Sequence, residues 1–247
     1  MSAFNIETYL DSKIDSTEID IQCENISELP SLINFKNLRV LNCSNNNLTS
    51  LPELPENLQE LHCRNNKLTS LPELPEKLRH LQCQFNNLTS LPRLPETLDV
   101  VCCDFNELTS LPRLPENLEL FSCERNQLTS LPRLPENLKV LNCLNNKIVY
   151  LPDLPLELQS VCCLYNPLRN IIELYNLQEL KAQIIVLNRV RHLIHSLKCK
   201  KQLRKWLWMK VRLPKIQDKY HPDNLKELLD TINDDDEDGF NKAIDTW

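Results

Sequence analysis

From Leu51 to Arg169 the apolar and polar positions follow one twenty-residue pattern written six times. The unit runs Leu-Pro-x-Leu-Pro-Glu-x-Leu-x-x-Leu-x-Cys-x-x-Asn-x-Leu-Thr-Ser. It begins at Leu51, Leu71, Leu91, Leu111, Leu131 and Leu151, with no insertion or deletion between copies. A fixed period of this length marks a repeat architecture built from one supersecondary unit. A single unit cannot cover its own apolar side, so neighbours must stack and share a continuous core. Alternation within each copy predicts a short strand. These strands fall at Leu38–Cys43, Leu58–Cys63, Leu78–Cys83, Leu98–Cys103, Leu118–Cys123, Leu138–Cys143 and Leu158–Cys163, after a first one at Glu18–Cys23. The first copy is irregular, because Leu29-Pro30 and Leu51-Pro52 stand twenty-two residues apart.

Twenty residues are too few for a strand, a full helix and two turns. Pro52 and Pro55 are three apart, which matches the three-residue turn of an extended polyproline-like return path. Their missing amide donors do no harm on a side that carries no ladder. The asparagine column of Asn46, Asn66, Asn86, Asn106, Asn126, Asn146 and Asn166 sits where the chain turns in after each strand. Its carboxamides are expected to satisfy buried backbone groups between coils, a scaffold role.

Outside the repeats the period becomes helical. Ser2 to Lys13 predicts a short helix with Phe4, Leu10 and Ile14 turned inward over the open end of the first coil. From Ile171 onward, Leu177, Leu180, Ile184, Leu187, Leu193, Ile194 and Leu197 fall at three- and four-residue intervals. Asp223–Ile232 predicts a further helix, Asp234–Asp238 an acidic loop, and Phe240–Trp247 a last helical turn or two. The expected organisation is an N-terminal cap over 1–18, a solenoid of about eight coils over 19–170, and a helical cap with an acidic tail over 171–247.

Composition narrows the chemistry. The chain has one glycine, Gly239, so no phosphate loop or dinucleotide fingerprint can be written with it. No cofactor and no catalytic constellation is expected. The N-terminal residues lack a basic start and an apolar stretch, so a secretory signal is not expected. Eighteen consecutive apolar residues occur nowhere, so neither is a membrane span. Of eleven cysteines, eight form a column of period twenty at Cys23, Cys43, Cys63, Cys83, Cys103, Cys123, Cys143 and Cys163. That position faces inward, where free cysteine acts as a small hydrophobe. Such a column suits a reducing, cytoplasmic compartment. Strung along an axis, the thiols do not converge on a metal.

The Leu-Pro-x-Leu-Pro-Glu-x-Leu and Leu-Thr-Ser wording, over roughly residues 29–170, resembles the bacterial leucine-rich-repeat type of YopM and the IpaH-like effectors. The resemblance implies a leucine-rich-repeat solenoid with a parallel concave sheet, a polyproline-like convex side, and a target protein bound inside a host cell. IpaH-like effectors add a large helical ubiquitin-ligase domain with a nucleophilic Cys-x-Asp. Here about 77 residues follow the repeats, and the one Cys-x-Asp, Cys102-Cys103-Asp104, lies within a repeat strand. Cys199, in Lys198-Cys-Lys-Lys201, has basic neighbours that could lower a thiol pKa, but no paired acid. A ubiquitin-ligase effector or adaptor is therefore a distant alternative. The tail from Lys201 through Trp206, Trp208 and Tyr220-His-Pro-Asp-Asn-Leu resembles C-terminal segments of giant amoebal virus proteins. This implies a viral origin and work in the host cytoplasm.

Comparing the copies separates frame from message. In each strand the leucine and cysteine face the core, so their neighbours face the concave side. One column there is Val40, Glu60, His80, Val100, Leu120, Val140, Ser160. The next is Asn42, His62, Gln82, Cys102, Ser122, Asn142, Cys162. A third is Ser44, Arg64, Gln84, Asp104, Glu124, Leu144, Leu164. Beside it, near the rim, run Asn45, Asn65, Phe85, Phe105, Arg125, Asn145 and Tyr165. Apolar residues grouped on a charged surface suggest a protein-binding patch. Phe85 and Phe105 are the anchor candidates, with Arg64 and Arg125 next, since aromatics and arginine dominate hot spots. His62, His80, Val100, Leu120 and Tyr165 complete the candidate face. Leu144, Leu164 and Tyr165 are assigned first to contact with the C-terminal cap. His62 and His80 stand in different columns and make a poor metal site, so no metal is expected. On the convex side Arg93, Arg113 and Arg133 are expected to pair with Glu96, Glu116 and Glu136.

The competing function is nucleic-acid binding through 181–219, which holds twelve Lys or Arg against one acid, Asp218. Trp206 and Trp208 could stack bases there, or the segment could lie on an anionic membrane. The preferred function is a non-enzymatic protein–protein interaction module with a host protein as partner. Nothing in the pattern selects an oligomeric state.

Overall fold

The structure is a computed structural model. It describes residues 5–168 and, farther on, residues 177, 178, 180–182, 184–186, 188 and 189. The chain forms two compact units, Met1–Asn188 and Arg189–Trp247. Of the second, Arg189 alone is described. The predicted helix Asp223–Ile232, the acidic loop Asp234–Asp238, the closing turn at Phe240–Trp247, Cys199, and the basic segment beyond Arg189 with Trp206 and Trp208 therefore lie outside the described residues. So do Ser2 to Phe4.

The first element is a helix, α1 (Ile6–Asp11), shorter than the predicted Ser2–Lys13. The Asn5 side chain caps it, accepting from the Thr8 N–H at 3.1 Å and satisfying an orphan donor of the first turn. Leu10 is buried as expected, whereas Ile14 is 43% exposed. The helix ends at Asp11, before Ile14, so the inward face stops short of it.

Eight strands follow: β1 (Glu18–Asp20), β2 (Val40–Asn42), β3 (Glu60–His62), β4 (His80–Gln82), β5 (Val100–Cys102), β6 (Leu120–Ser122), β7 (Val140–Asn142) and β8 (Ser160–Cys162). They form one parallel sheet in sequence order, so each strand neighbours the next copy of itself. From β2 onward the pairing steps by twenty residues, as in Leu41 with Leu61 and Leu61 with Leu81. Each strand has three residues, about half the predicted length. Ladder bonds nevertheless continue past them, from Cys43 N–H to the His62 carbonyl at 2.8 Å and from Asn45 N–H to the Arg64 carbonyl at 2.9 Å.

The central residue of each strand and the cysteine after it point inward. Leu41, Leu61, Leu81, Val101, Phe121 and Leu141 are fully buried, as are Cys43, Cys63, Cys83, Cys103, Cys123 and Cys143. The column does not include Cys23. That residue is exposed with φ 61°, and Ile21 takes the inward place, its N–H bonding the Asn42 carbonyl. Ile19 pairs with Leu41, so Ile21 stands at the place of Cys43 and Cys23 at the place of Asn45, where the backbone turns outward. Cys163, in the last coil, is half-buried.

The asparagine column carries the frame. Asn106 Oδ1 accepts from the Leu88 N–H at 3.0 Å, while its Nδ2 donates to the carbonyls of Cys83 and Cys103, each at 3.1 Å. The same set recurs at Asn66, Asn86, Asn126, Asn146 and Asn166, tying each coil to the one before it. The return path holds no helix in coils 2 to 8. A turn closes it, with the Leu58 N–H on the Pro55 carbonyl at 3.1 Å and its equivalents in later copies.

At the far end, described helical residues between 177 and 189 reach the core through Leu180 and Ile184. Lys181 is only 6% exposed, and its Nζ donates to the carbonyls of Leu156 at 2.7 Å and Leu158 at 3.0 Å. Asn188 adds a bond to Asp153 Oδ1 at 2.7 Å. This changes two expectations. Lys181, counted in the basic segment, is committed to the protein's own backbone. Leu164 and Tyr165, assigned to the cap, are 63% and 78% exposed. They lie past the end of β8, whereas Lys181 holds the helical segment near the beginning of that strand.

Candidate functional site

The rim column has a backbone property that its side chains alone conceal. Asn45, Asn65, Phe85, Phe105, Arg125, Asn145 and Tyr165 all have positive φ, between 49° and 56°. The left-handed region suits asparagine and penalises bulky side chains. Asn45, Asn65 and Asn145 are therefore the conformationally easy occupants. Phe85, Phe105, Arg125 and Tyr165 hold a strained backbone geometry, of the kind that concentrates at functional sites.

Three of those four residues are stacked. The Phe85 and Phe105 ring centroids are 4.2 Å apart with planes inclined by 18°. The Arg125 guanidinium lies 5.0 Å from the Phe105 centroid, within cation–π range. Phe85 is 48% exposed and Phe105 half-buried. Arg64 is exposed two coils from Phe105, outside this stack, and Tyr165 is separated from it by Asn145.

Beside the stack the sheet face is polar and internally bonded. Asp104 Oδ1 accepts from Ser122 Oγ and from the Glu124 N–H. Burial pushes the Asp104 carboxyl above its ordinary range, hydrogen bonds from Ser122 and Glu124 pull it back, and the Glu124 charge pushes it up again. Glu124 accepts from Asn142 Nδ2 at 3.1 Å and lies 3.7 Å from Arg125 Nε. Its charge thus holds the arginine that covers the ring pair. Val100 and Leu120 are half-buried two columns further in.

Farther toward the N-terminus, Glu60 joins two residues that sequence columns keep apart. Its carboxylate lies 3.1 Å from His62 Nε2 and 3.6 Å from His80 Nδ1. Glu60 is two residues from His62 on one strand and directly opposite His80 on the next, so it bridges both columns. Among the described residues, no group of three or more His, Cys, Asp or Glu is arranged to hold a metal ion.

The convex arginines are all exposed, with one partner differing from expectation. Arg113 pairs with Glu116 at 3.2 Å and also with Glu96 at 3.6 Å, and Arg133 pairs with Glu136 at 3.6 Å. Arg93 instead reaches back to Glu76 in the previous coil at 2.6 Å. Neighbouring coils are as near on this surface as residues three apart, so the sequence offset alone does not choose the acid. The Cys102-Cys103-Asp104 motif offers no thiolate: burial first, then the charge of Asp104, pushes the Cys102 thiol up to about 11, and Cys103 is fully buried.

Sequence reasoning missed two features of this face. The left-handed column was signalled by its three asparagines, a residue tolerant of positive φ. Gln84 carried no signal at all, yet its Oε1 is buried without a hydrogen-bond partner among the described residues. Among the described residues no helix is long and apolar enough to cross a membrane.

No protein-family model and no curated protein matches the chain. Solved structures do. YopM from Yersinia pestis, a leucine-rich effector protein, superposes with a TM-score of 0.62 at 38% identity, covering 70% of this chain and 49% of that one. A Shigella effector leucine-rich-repeat domain gives 0.59 at 36% identity, covering 67% and 75%. YopM from Yersinia enterocolitica WA-314 gives 0.58 at 37% identity, covering 61% and 33%. This chain therefore spans a third to a half of the YopM chains and three quarters of the Shigella domain.

Proposed function

Because the chain belongs to the leucine-rich-repeat family represented by these Shigella and Yersinia effector repeats, we propose that it is a non-catalytic module binding a host protein on its concave face. Effector-like repeat neighbours support a protein–protein interaction module in general. The finer claim concerns where. The observation that carries it is the Phe85–Phe105–Arg125 stack, one exposed ring, one half-buried ring and a cation held on strained backbone. Asparagine occupies the same position in three other coils without that strain. A solvated rim has no need of phenylalanine there, whereas a binding patch gains compact aromatic anchors from it.

Arg64, His62, His80, Val100, Leu120 and Tyr165 are the flanking contacts in this reading, with the cytoplasm as the setting. Six fully buried thiols in one column suit a reducing compartment. The test is affinity capture from a host-cell lysate with the full chain, comparing wild type with a Phe85→Asn/Phe105→Asn double variant. Loss of a specific captured protein by the double variant is the expected result. Unchanged capture sinks the assignment.

A further inference from the structure

We propose that the open face of Phe85, with Asn65 and Gln84, forms a slot for one aromatic side chain bearing an N–H or O–H donor, a tryptophan or tyrosine of the partner protein. This rests on the ring pair being the binding patch and names what that patch takes.

The argument begins with spacing. Asn65, Phe85, Phe105 and Arg125 occupy one position in four successive coils. The two rings are 4.2 Å apart, close to the strand spacing of about 4.8 Å. Each coil step of this column therefore has the height of one ring. Phe105 has both faces in use, one against Phe85 and one against Arg125. Phe85 has one face in use, and its other face looks along the axis toward Asn65. The Asn65 side chain is short and drawn toward the preceding coil, its Nδ2 donating to Asn45 Oδ1 at 2.9 Å. One ring-high step beside Phe85 is thus left to the outside, consistent with its 48% exposure.

The polar groups at this step select the occupant. The Asn65 N–H bonds the Gln84 carbonyl at 2.9 Å, so Asn65, Gln84 and Phe85 meet. Among the described residues Gln84 Oε1 is buried without a hydrogen-bond partner, and Asn65 Oδ1 accepts no hydrogen bond. An aliphatic side chain would leave the Asn65 acceptor unpaired, while an indole or phenol stacks on Phe85 and offers a donor at its edge. Arg64, exposed and adjacent to Asn65, disfavours a lysine or arginine.

The probes are N-acetyl-tryptophanamide and N-acetyl-tyrosinamide, with N-acetyl-leucinamide as control, titrated into the isotope-labelled full chain and followed by NMR. The aromatic amides should shift the side-chain amides of Asn65 and Gln84 with a Kd on the order of 1 mM, and the leucine amide should bind at least tenfold more weakly. Asn65→Phe fills the step with the chain's own ring, and Phe85→Leu keeps it apolar but removes the stacking face. Each should cut binding of the tryptophan amide at least tenfold with circular dichroism unchanged, and if Asn65→Phe misfolds, Phe85→Leu alone decides. Equal binding of the leucine amide, no shift at Asn65 and Gln84, or full affinity in the folded variants overturns the slot. The patch is judged separately. A partner lost by Phe85→Asn/Phe105→Asn but kept by Asn65→Phe leaves the patch standing without the slot, and one kept by both removes the patch as well.

Discussion

The ammonium of Lys181 sits 2.7 Å from the carbonyl oxygen of Leu156 and repeats, from outside the repeats, a contact made within them. In an inner coil, Thr97 Oγ1 shares its one proton between the carbonyls of Glu76 at 2.8 Å and Leu78 at 2.7 Å, which occupy the places of Leu156 and Leu158 four coils earlier. The last coil has no following coil to supply that donor. Lys181 supplies it instead, and Leu180 and Ile184 on either side enter the core.

Lys181→Ala should therefore cost about 2 kcal/mol, the range of hydrogen bonds to a charged group, in urea unfolding followed by circular dichroism. Truncation after Asn170 removes Lys181, Leu180 and Ile184 together and should yield an aggregating product, because it bares the end of the core. A soluble, cooperatively unfolding 1–170 fragment would contradict the capping role.

The asparagine column should be the least tolerant polar position. Asn106→Ala strips an acceptor from the buried Leu88 N–H and a donor from the carbonyls of Cys83 and Cys103. With unsatisfied buried groups costing roughly 1–3 kcal/mol each, a loss of at least about 3 kcal/mol is expected. An Asn137→Ala variant, which forfeits one exposed bond to Glu116, should lose under about 1 kcal/mol.

The cysteine column predicts sensitivity to alkali. Burial, reinforced in several cases by neighbouring thiols, raises Cys43 to about 12 and pushes Cys63, Cys83, Cys103, Cys123 and Cys143 upward as well. Below the unfolded thiol pKa of about 8.5, both states are protonated and the contribution to stability is fully present. Above it the unfolded thiols ionise while the buried ones do not. Stability should then fall by up to about 1.4 kcal/mol per pH unit for each thiol, until the folded pKa is reached. Unfolding curves between pH 8 and 11 measure this slope, and Cys83→Ala/Cys123→Ala should flatten it. Thiol labelling of the native protein should be fast at exposed Cys23 and Cys162 and slow in the column. Cys103→Ser, which buries a hydroxyl in place of a thiol, should cost on the order of 1–3 kcal/mol. A pH-independent stability would mean that the column is not buried.

The repeat made most of this legible. The apolar place of Leu61 and the residues Cys63 and Asn66 recur in each regular copy, so their inward places follow from the period with no knowledge of the coordinates. Legibility fails where the period is interrupted or a contact crosses coils. Cys23 keeps the spacing to Cys43, yet Ile21 takes the inward place, because the pairing of Ile19 with Leu41 decides the register. Arg93 finds Glu76 and Glu60 gathers two histidines because neighbouring coils lie beside each other, which an offset along one chain does not express. The ring pair was legible as a column. Its strain was not, since three asparagines carried that signal and Phe85, Phe105 and Arg125 obscured it.

That strain gives the binding test its control. Replacing Phe85 and Phe105 by Asn removes a stacking contribution of about 0.5–1.5 kcal/mol. It also installs, at φ 56° and 53°, a residue that tolerates the left-handed backbone at lower cost. The two effects oppose each other, so the double variant should unfold within about 1 kcal/mol of wild type. Phe85→Val/Phe105→Val loses the stack and keeps the strain, and should be less stable than the asparagine pair. Binding must separate from stability: the asparagine pair should lose at least about 2 kcal/mol of affinity for the captured partner, roughly thirtyfold. Replacing Arg93, Arg113 and Arg133 together by Ala removes exposed ion pairs that contribute little, and should leave capture intact. If the arginine triple loses the partner while the asparagine pair keeps it, the binding face is the convex one.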